Sequence, residues 1–254
     1  MTRRAVVMDR ARSIRLQLER VPPRWGIAPV IGIVGMLIAV VITIWDFLWF
    51  QRGTDWAFYV IQARRFLDGG GFYEPFQVAG AYAVESGVAN LYPPPALLLF
   101  LPFAFLPGPL WWLLSIGSIA AVVVAFRPAP WSWPIIAVLC LAPRSIQIVL
   151  WGNTTLWATA FVALGLRFAW PSILVLIKPY FAPLALIGIR HRSWWLAAAA
   201  FAVANLVLLP VWADYLVAWR NAGSTWPSLS YSPGDVVMLA IPLVAWLARR
   251  TETA

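Results

Sequence analysis

The chain has 254 residues, of which 62% are hydrophobic and only 11% are charged, with a mean hydropathy of +0.78. A water-soluble domain needs far more polar surface, so we expect lipid to be the solvent. The formal charge is +9, but the basic residues stand at predicted helix ends and in short loops. Because they form no stripe interleaved with aromatic residues, a nucleic-acid partner is excluded.

The N-terminal segment, residues 1–26, is basic and carries seven arginines between Met1 and Arg24. We expect it to anchor on the cytoplasmic side; a short amphipathic helix over Ser13–Leu18, lying on anionic lipid, is the alternative. An apolar run follows from Ile27 to Phe50 and is long enough to cross a bilayer. It lacks a small-residue cleavage pattern, so we predict a retained first membrane helix rather than a signal peptide.

A long polar connection, residues 51–91, separates this run from the rest of the chain. The sequence predicts a short helix over 55–67 within it, ended by Gly69, Gly70 and Gly71. Long loops of this kind tend to carry function. We place the connection on the outer face of a plasma membrane.

The remainder predicts an all-α, polytopic bundle in a single domain, residues 27–250, with about eight crossings (seven to nine). The predicted later spans are 94–106, 109–126, 131–141, 151–168, 171–189, 194–211 and 236–247. Both termini are then cytoplasmic, together with Arg144, Arg190, Arg192, Arg249 and Arg250. The acidic residues gather at the outer face: Asp46, Asp55, Asp68, Glu74, Glu85, Asp214 and Asp235. A re-entrant piece over 144–149 is the alternative to one of the crossings.

Asp55 is the first candidate for chemistry, because a carboxylate at the outer membrane boundary can act as a general base. On local evidence a helix N-cap explains it better, and Asp46 is the rival acid. Arg64 and Arg65 lie further along the same predicted helix, where they can bind a phosphate or simply snorkel to the interface.

Three later residues are also candidates. Tyr92 precedes a triple proline and can line a site, although anchoring is the simpler interpretation. Asn153 begins a predicted span, where a helix cap is the default and a polar site residue the alternative. Lys178 lies about seven residues into an apolar run, where a lysine is costly unless it meets an anion or water. We therefore favour a functional role, with Pro179 breaking the helix beside it. No metal-ligand spacing is present.

Four segments occur in one order: an Asp-x-x-x-Tyr pattern at Asp55 and Tyr59, "YPPP" with "LPFAFLP", "WGNTTLW" and "LIKPYFAP". Together they resemble the polyprenol-phosphate-mannose-dependent mannosyltransferase-like family of GT-C membrane glycosyltransferases. In that family an acid in the first outer loop is the catalytic base, and Asp55 matches it. Lys178 matches a lysine of a later helix. Gly152 and Asn153 match the start of the preceding helix, without the Gln that usually stands there.

The resemblance implies an enzyme that moves a sugar, mannose or another hexose or pentose, from a polyprenyl phosphate to an extracytoplasmic acceptor by inverting displacement. Asp55 would take the acceptor proton, and Lys178 with Arg64 or Arg65 would stabilise the departing phosphate. Tyr59 and Tyr92 would contact the substrate. The implied partners are membrane lipid, the lipid-linked sugar and a glycan or lipid acceptor, with no cofactor or metal, and a partner subunit can complete such a site. Residue usage suggests a bacterial cell envelope.

Two other functions compete with this hypothesis. A non-catalytic membrane module that binds lipid phosphate or a partner protein would keep the same residues without turnover. A small transporter would need related halves and polar residues spread over several helices, which the sequence does not show. Only turnover separates the enzyme from the module.

Overall fold

The fold was analysed in a computed structural model. It describes residues 53–83, 89–223 and 233–250, and from the preceding segment residues 30, 31, 33–35, 37, 38, 41 and 45. The prediction of an all-α fold is confirmed for this part of the chain: it contains helices and one isolated bridge between Pro128 and Arg249, and no strands. The predicted basic segment 1–26, Asp46 and Glu85 lie outside the described residues.

The polar connection folds into two short helices. The first of them packs on a third helix, from the following apolar stretch. The three helices are α1 (Thr54–Leu67), α2 (Pro75–Ala79) and α3 (Ala96–Phe103). The predicted helix over 55–67 is confirmed, and it ends before Gly69 and Gly71, which both adopt φ +81°, a conformation that suits glycine. The ring of Tyr59 stacks on Phe100 at 4.5 Å, which joins α1 to α3.

Eight further helices form the rest of the described fold. They are α4 (Pro109–Ala125), α5 (Ser132–Leu141), α6 (Pro143–Trp151), α7 (Thr155–Phe168), α8 (Ala182–Ala185), α9 (Arg192–Val207), α10 (Leu209–Ala222) and α11 (Val236–Leu247). Short 3-10 segments cover Trp170–Ile177, Pro179–Phe181, Leu186–Gly188 and Pro233–Asp235. Helix α7 is the central element: it packs on α4, α11 and Trp170–Ile177.

Small residues on α7 permit this close packing. Ala158, Ala160 and Ala163 are fully buried. A Cβ atom on Gly165 would come within 2.7 Å of Ser172, so the backbones approach each other more closely than a larger side chain would allow. Interfaces between helices in lipid commonly use small residues in this way.

Among the described residues no one helix has both the length and the apolar character needed to cross a bilayer. Two consecutive pairs reach that length and character together: α5 with α6, bent by 57°, and α9 with α10, bent by 74°. The bend between α5 and α6 has a local cause. Ala142 stands before Pro143 and is extended (φ −56°, ψ 134°), because a residue before proline disfavours the helical conformation.

Helices α4, α7 and α11 all begin at one end of the fold, which we call the carboxylate end because it holds Asp55 and Asp235. Trp112 of α4 donates to the carbonyl of Val149 at 2.6 Å there, and α7 and α11 begin at Thr155 and just after Asp235. The opposite ends of α4 and α11 also meet, since the amide of Ala129 donates to the carbonyl of Ala248 at 2.8 Å.

Arginines collect at this second end, which we call the arginine end. Arg127 follows α4, Arg167 stands in the last turn of α7, and Arg249 and Arg250 follow α11. Gly188 packs against Ala169 at the end of α7, which brings the next basic residues to the same end. These are Arg190 and Arg192. Four of the five arginines that the sequence analysis grouped together thus lie at one end of the fold, and Arg144 lies at the other.

The predicted order of crossings is wrong in two places. Residues 94–106 contain an eight-residue helix, α3, that packs on α1 instead of forming a span. Helix α5 brings the chain from Ala129, at the arginine end, back to the carboxylate end, where Arg144 in the first turn of α6 pairs with Asp235 at 2.7 Å. The sequence analysis placed these two residues on opposite faces, because hydropathy does not show that α5 and α6 form one bent pair.

Candidate functional site

Asp55 lies in the first turn of α1 at the carboxylate end. Gly53 stands two residues earlier, with φ +58°, and its amide donates to the carbonyl of Leu150 at 3.0 Å. This bond fixes the start of α1 against the end of α6. The side chain of Asp55 does not cap α1; its Oδ2 accepts a hydrogen bond from Asn153 Nδ2 at 2.6 Å. The cap interpretation of Asp55 is therefore wrong, and its carboxylate is directed towards α7.

Asn153 is a polar site residue rather than the cap of α7, whose N-cap residue is Thr154 and which has no side-chain cap. Its Oδ1 accepts the backbone N–H of Thr155 at 2.9 Å in a local turn, while its Nδ2 binds Asp55. Gly152 makes this possible: it ends α6 with φ +69°, and a Cβ atom there would lie 2.9 Å from Trp56 and from Trp112. Only glycine fits this turn without displacing those rings.

Lys178 stands at a break between two 3-10 segments, with φ −126° and ψ 85°, and is 4% exposed. Its Nζ donates to Asp235 Oδ2 at 2.6 Å, to Asn153 Oδ1 at 3.3 Å and to Thr155 Oγ1. The buried lysine therefore meets an anion, as the cost of burying it requires. One amide side chain, that of Asn153, connects it to Asp55.

The anion is Asp235, which the sequence analysis did not select. Its Oδ2 also accepts the hydroxyl of Thr155 at 2.7 Å. Its Oδ1 accepts Nε of Arg144 at 2.9 Å, and Nη2 of Arg144 lies 2.7 Å from the same oxygen. The sequence placed Arg144 and Asp235 at ends of different spans, and the only signal for them was that each is a charge beside apolar residues.

Two tyrosines form a second layer of the site. The hydroxyls of Tyr59 and Tyr92 are 2.8 Å apart, and Thr154 donates to the Tyr92 hydroxyl at 2.9 Å. Tyr73 donates to the backbone carbonyl of Tyr92 at 2.7 Å. Tyr59 and Tyr92 are thus brought beside the start of α7, next to Asn153.

Arg64 and Arg65 are engaged in the connection. Arg64 donates to the carbonyl of Ala104 at 3.3 Å and 3.2 Å and ties α1 to the end of α3. Arg65 forms an ion pair with Glu74 and donates to the carbonyl of Phe72 at 3.0 Å. The structure therefore joins neither arginine to the hydrogen bonds around Asp55.

The two carboxylates of the site differ in electrostatics. Burial raises the pKa of Asp55 above its ordinary value, against the opposing effects of the Asn153 hydrogen bond and the Lys178 charge. Burial also acts to raise the pKa of Asp235, but Lys178, Thr155 and Arg144 outweigh it and hold that pKa below its ordinary value. The lowered pKa keeps Asp235 ionised, whereas the raised pKa of Asp55 makes its carboxylate a stronger proton acceptor.

Within the described ranges no group of three or more histidine, cysteine or acidic residues could hold a metal ion. Comparison with known proteins found no matching family model, curated protein or solved structure.

Proposed function

We propose that this chain is a membrane glycosyltransferase that moves a sugar from a polyprenyl phosphate to an extracytoplasmic hydroxyl acceptor, with Asp55 as general base. One observation carries the proposal: Asn153 bonds the Asp55 carboxylate at 2.6 Å while its other amide atom lies 3.3 Å from Lys178. The proton acceptor is therefore fixed, through one amide, beside an ion cluster that contains two cations, Lys178 and Arg144. A displacement that creates an anionic leaving group needs a base and nearby positive charge.

Placement in a membrane is supported by the outer surface of the bundle. Large apolar side chains are exposed on α4, α5 and α9, among them Leu113, Val138 and Leu196, which are 66%, 68% and 73% exposed. Many large exposed apolar side chains suit a lipid environment. The arginine end then faces the cytoplasm, by the excess of basic residues that cytoplasmic boundaries carry, and the carboxylate end faces outward.

The reaction is a single displacement. The acceptor hydroxyl oxygen attacks the anomeric carbon of the donor sugar while Asp55 takes its proton. The bond between that carbon and the phosphate oxygen breaks, and the electron pair leaves on the polyprenyl phosphate. The sugar is inverted at the anomeric carbon. The raised pKa of Asp55 favours this role, because a base is most effective when its pKa approaches the working pH.

The proposal is tested with purified protein in lipid, a panel of polyprenyl-phosphate sugars and membrane extract as the acceptor source. We expect release of polyprenyl phosphate coupled to a glycosylated product of inverted anomeric configuration, read by mass spectrometry and NMR. A folded sample that neither transfers nor hydrolyses any donor would contradict the enzyme.

A non-catalytic module that binds lipid phosphate or a partner subunit is the second candidate. It is favoured by the internal pairing of Lys178, since a buried lysine bonded to Asp235 and Thr155 also serves simply to stabilise a bundle. Such a module would bind the donor lipid without consuming it, and Asp55→Asn would leave its cellular role intact.

A further inference from the structure

All three N–H donors of the Lys178 ammonium group already have acceptors within the protein. An ammonium group carries three N–H donors, and Nζ of Lys178 has three acceptors, on Asn153, Thr155 and Asp235. Its side chain is only 4% exposed. A phosphate could reach it only by breaking bonds that also hold Asn153 and Asp235 in place. The group therefore positions other residues.

Arg144 differs in both respects. A guanidinium carries five N–H donors; Nε and Nη2 face Asp235 Oδ1, and Nη1 donates to Gln147 at 2.6 Å. Two of its N–H groups have no acceptor among the described residues. Its side chain is 27% exposed, against 2% for Asp235, so the accessible part of the ion cluster is this guanidinium.

Charge leads to the same residue. The three groups that contact one another, Arg144, Lys178 and Asp235, are two cations and one carboxylate, and Asn153 separates the Asp55 carboxylate from them. Transfer of the acceptor proton to Asp55 then leaves one positive charge in excess. Lys178 shares Oδ2 of Asp235 with Thr155, whereas Arg144 uses Oδ1 alone. The unbalanced charge is thus available where the cluster meets solvent, and a planar guanidinium suits the oxygens of a phosphate.

We propose that Arg144 is the anion-binding residue of this site and contacts the phosphate monoester of a polyprenyl lipid, while Lys178 is a buried positioning residue. This inference rests on the proposed function for the identity of the lipid. It transfers the phosphate contact from Arg64, Arg65 and Lys178, where the sequence put it, to a residue that the sequence assigned to the opposite face.

The test measures binding alone, in an Asp55→Asn background that cannot turn over. Farnesyl phosphate and farnesol are titrated into purified protein in lipid nanodiscs. We expect the protein to prefer the phosphate over the alcohol, and Arg144→Gln to weaken farnesyl phosphate at least tenfold while leaving farnesol unchanged. Arg144→Lys should retain part of the preference, and Arg167→Gln, at the arginine end, should retain all of it.

Equal weakening of both ligands by Arg144→Gln would mean a purely structural role and would overturn the proposal, as would an unchanged preference for phosphate. Thermal unfolding of each variant is measured in parallel, and Arg144→Lys supplies the comparison should Arg144→Gln not fold. Inorganic phosphate serves as competitor: weaker competition than farnesyl phosphate assigns the site to a lipid phosphate, and equal competition overturns that part.

The binding and transfer experiments fail independently. Arg144-dependent selectivity without any sugar transfer would keep this inference and remove the enzyme. Sugar transfer with selectivity independent of Arg144 would keep the enzyme and remove this inference.

Discussion

Asp235 binds two cations through different oxygens, Lys178 through Oδ2 at 2.6 Å and Arg144 at 2.7 Å through Oδ1. These bonds join three parts of the chain that are far apart in sequence: the start of α6, the break before Pro179 and the start of α11. The same lysine contacts Asn153, which holds Asp55. The central carboxylate of the fold is therefore also the support of the proposed base.

Asp235→Asn should be strongly destabilising. It leaves Lys178 buried with no anionic partner, and breaking a buried ion pair from one side typically costs about 3–5 kcal/mol. Thermal unfolding of the purified protein measures the effect. Asp214→Asn, an exposed acid on α10, is the matched control and should change the midpoint little. Equal midpoints for the two variants would show that the cluster is not a stabilising element.

Asn153→Ala should shift the acidic limb of the rate profile to higher pH. The hydrogen bond from Asn153 lowers the pKa of Asp55, so its loss raises that pKa further. Because ionised Asp55 is the active form, the transfer rate then reaches its maximum only at higher pH. Sugar transfer measured across pH gives the limb, with unfolding checked at each pH. An unshifted limb would mean that another group titrates.

Gly152→Ala should destabilise the fold by about 1–3 kcal/mol, because a positive φ is costly for alanine and the new methyl group meets Trp56 and Trp112. It should also slow transfer, since this turn aims Asn153 at Asp55. Gly117→Ala is the control: it lies within α4 with open space around it, and alanine there should be neutral or stabilising by up to about 1 kcal/mol. Denaturant unfolding compares the two.

Single cysteines should report opposite sides of the membrane at the two ends of the bundle. With Cys140→Ala as background, Asp68→Cys at the carboxylate end should react with an impermeant maleimide in intact cells. Arg167→Cys at the arginine end should react only after lysis. Labelling of both from outside, or the reverse pattern, would contradict the proposed orientation.

The sequence predicted the all-α class and α1, and it selected five residues that the structure brings together: Asp55, Tyr59, Tyr92, Asn153 and Lys178. Local signals explain part of this: a run of glycines ends α1, a polar residue precedes α7, and Lys178 is a charge within an apolar stretch. Asp55 was a candidate on position alone, and its contact with Asn153 is what distinguishes it from a helix cap.

Arg144 and Asp235 could not be found in the same way. Their contact depends on α5 returning the chain to the carboxylate end and on the bend at Ala142, after which Arg144 begins α6. A hydropathy profile predicts only that Arg144 and Asp235 are charged residues in loops between apolar segments. Arg65 shows the opposite case: its partners, Glu74 and the carbonyls of Gly71 and Phe72, are close in sequence, but a turn of irregular backbone has no periodic signal.

The central claim is that Asp55 accepts the proton of the attacking hydroxyl. The most direct measurement compares the rate of sugar transfer of Asp55→Asn with that of Asp68→Asn, an exposed acid just after the same helix, at matched folding. We predict a loss of at least about 100-fold for Asp55→Asn, in the range that general bases contribute, and a rate near wild type for Asp68→Asn. Transfer by Asp55→Asn at the rate of the Asp68→Asn control would contradict the account.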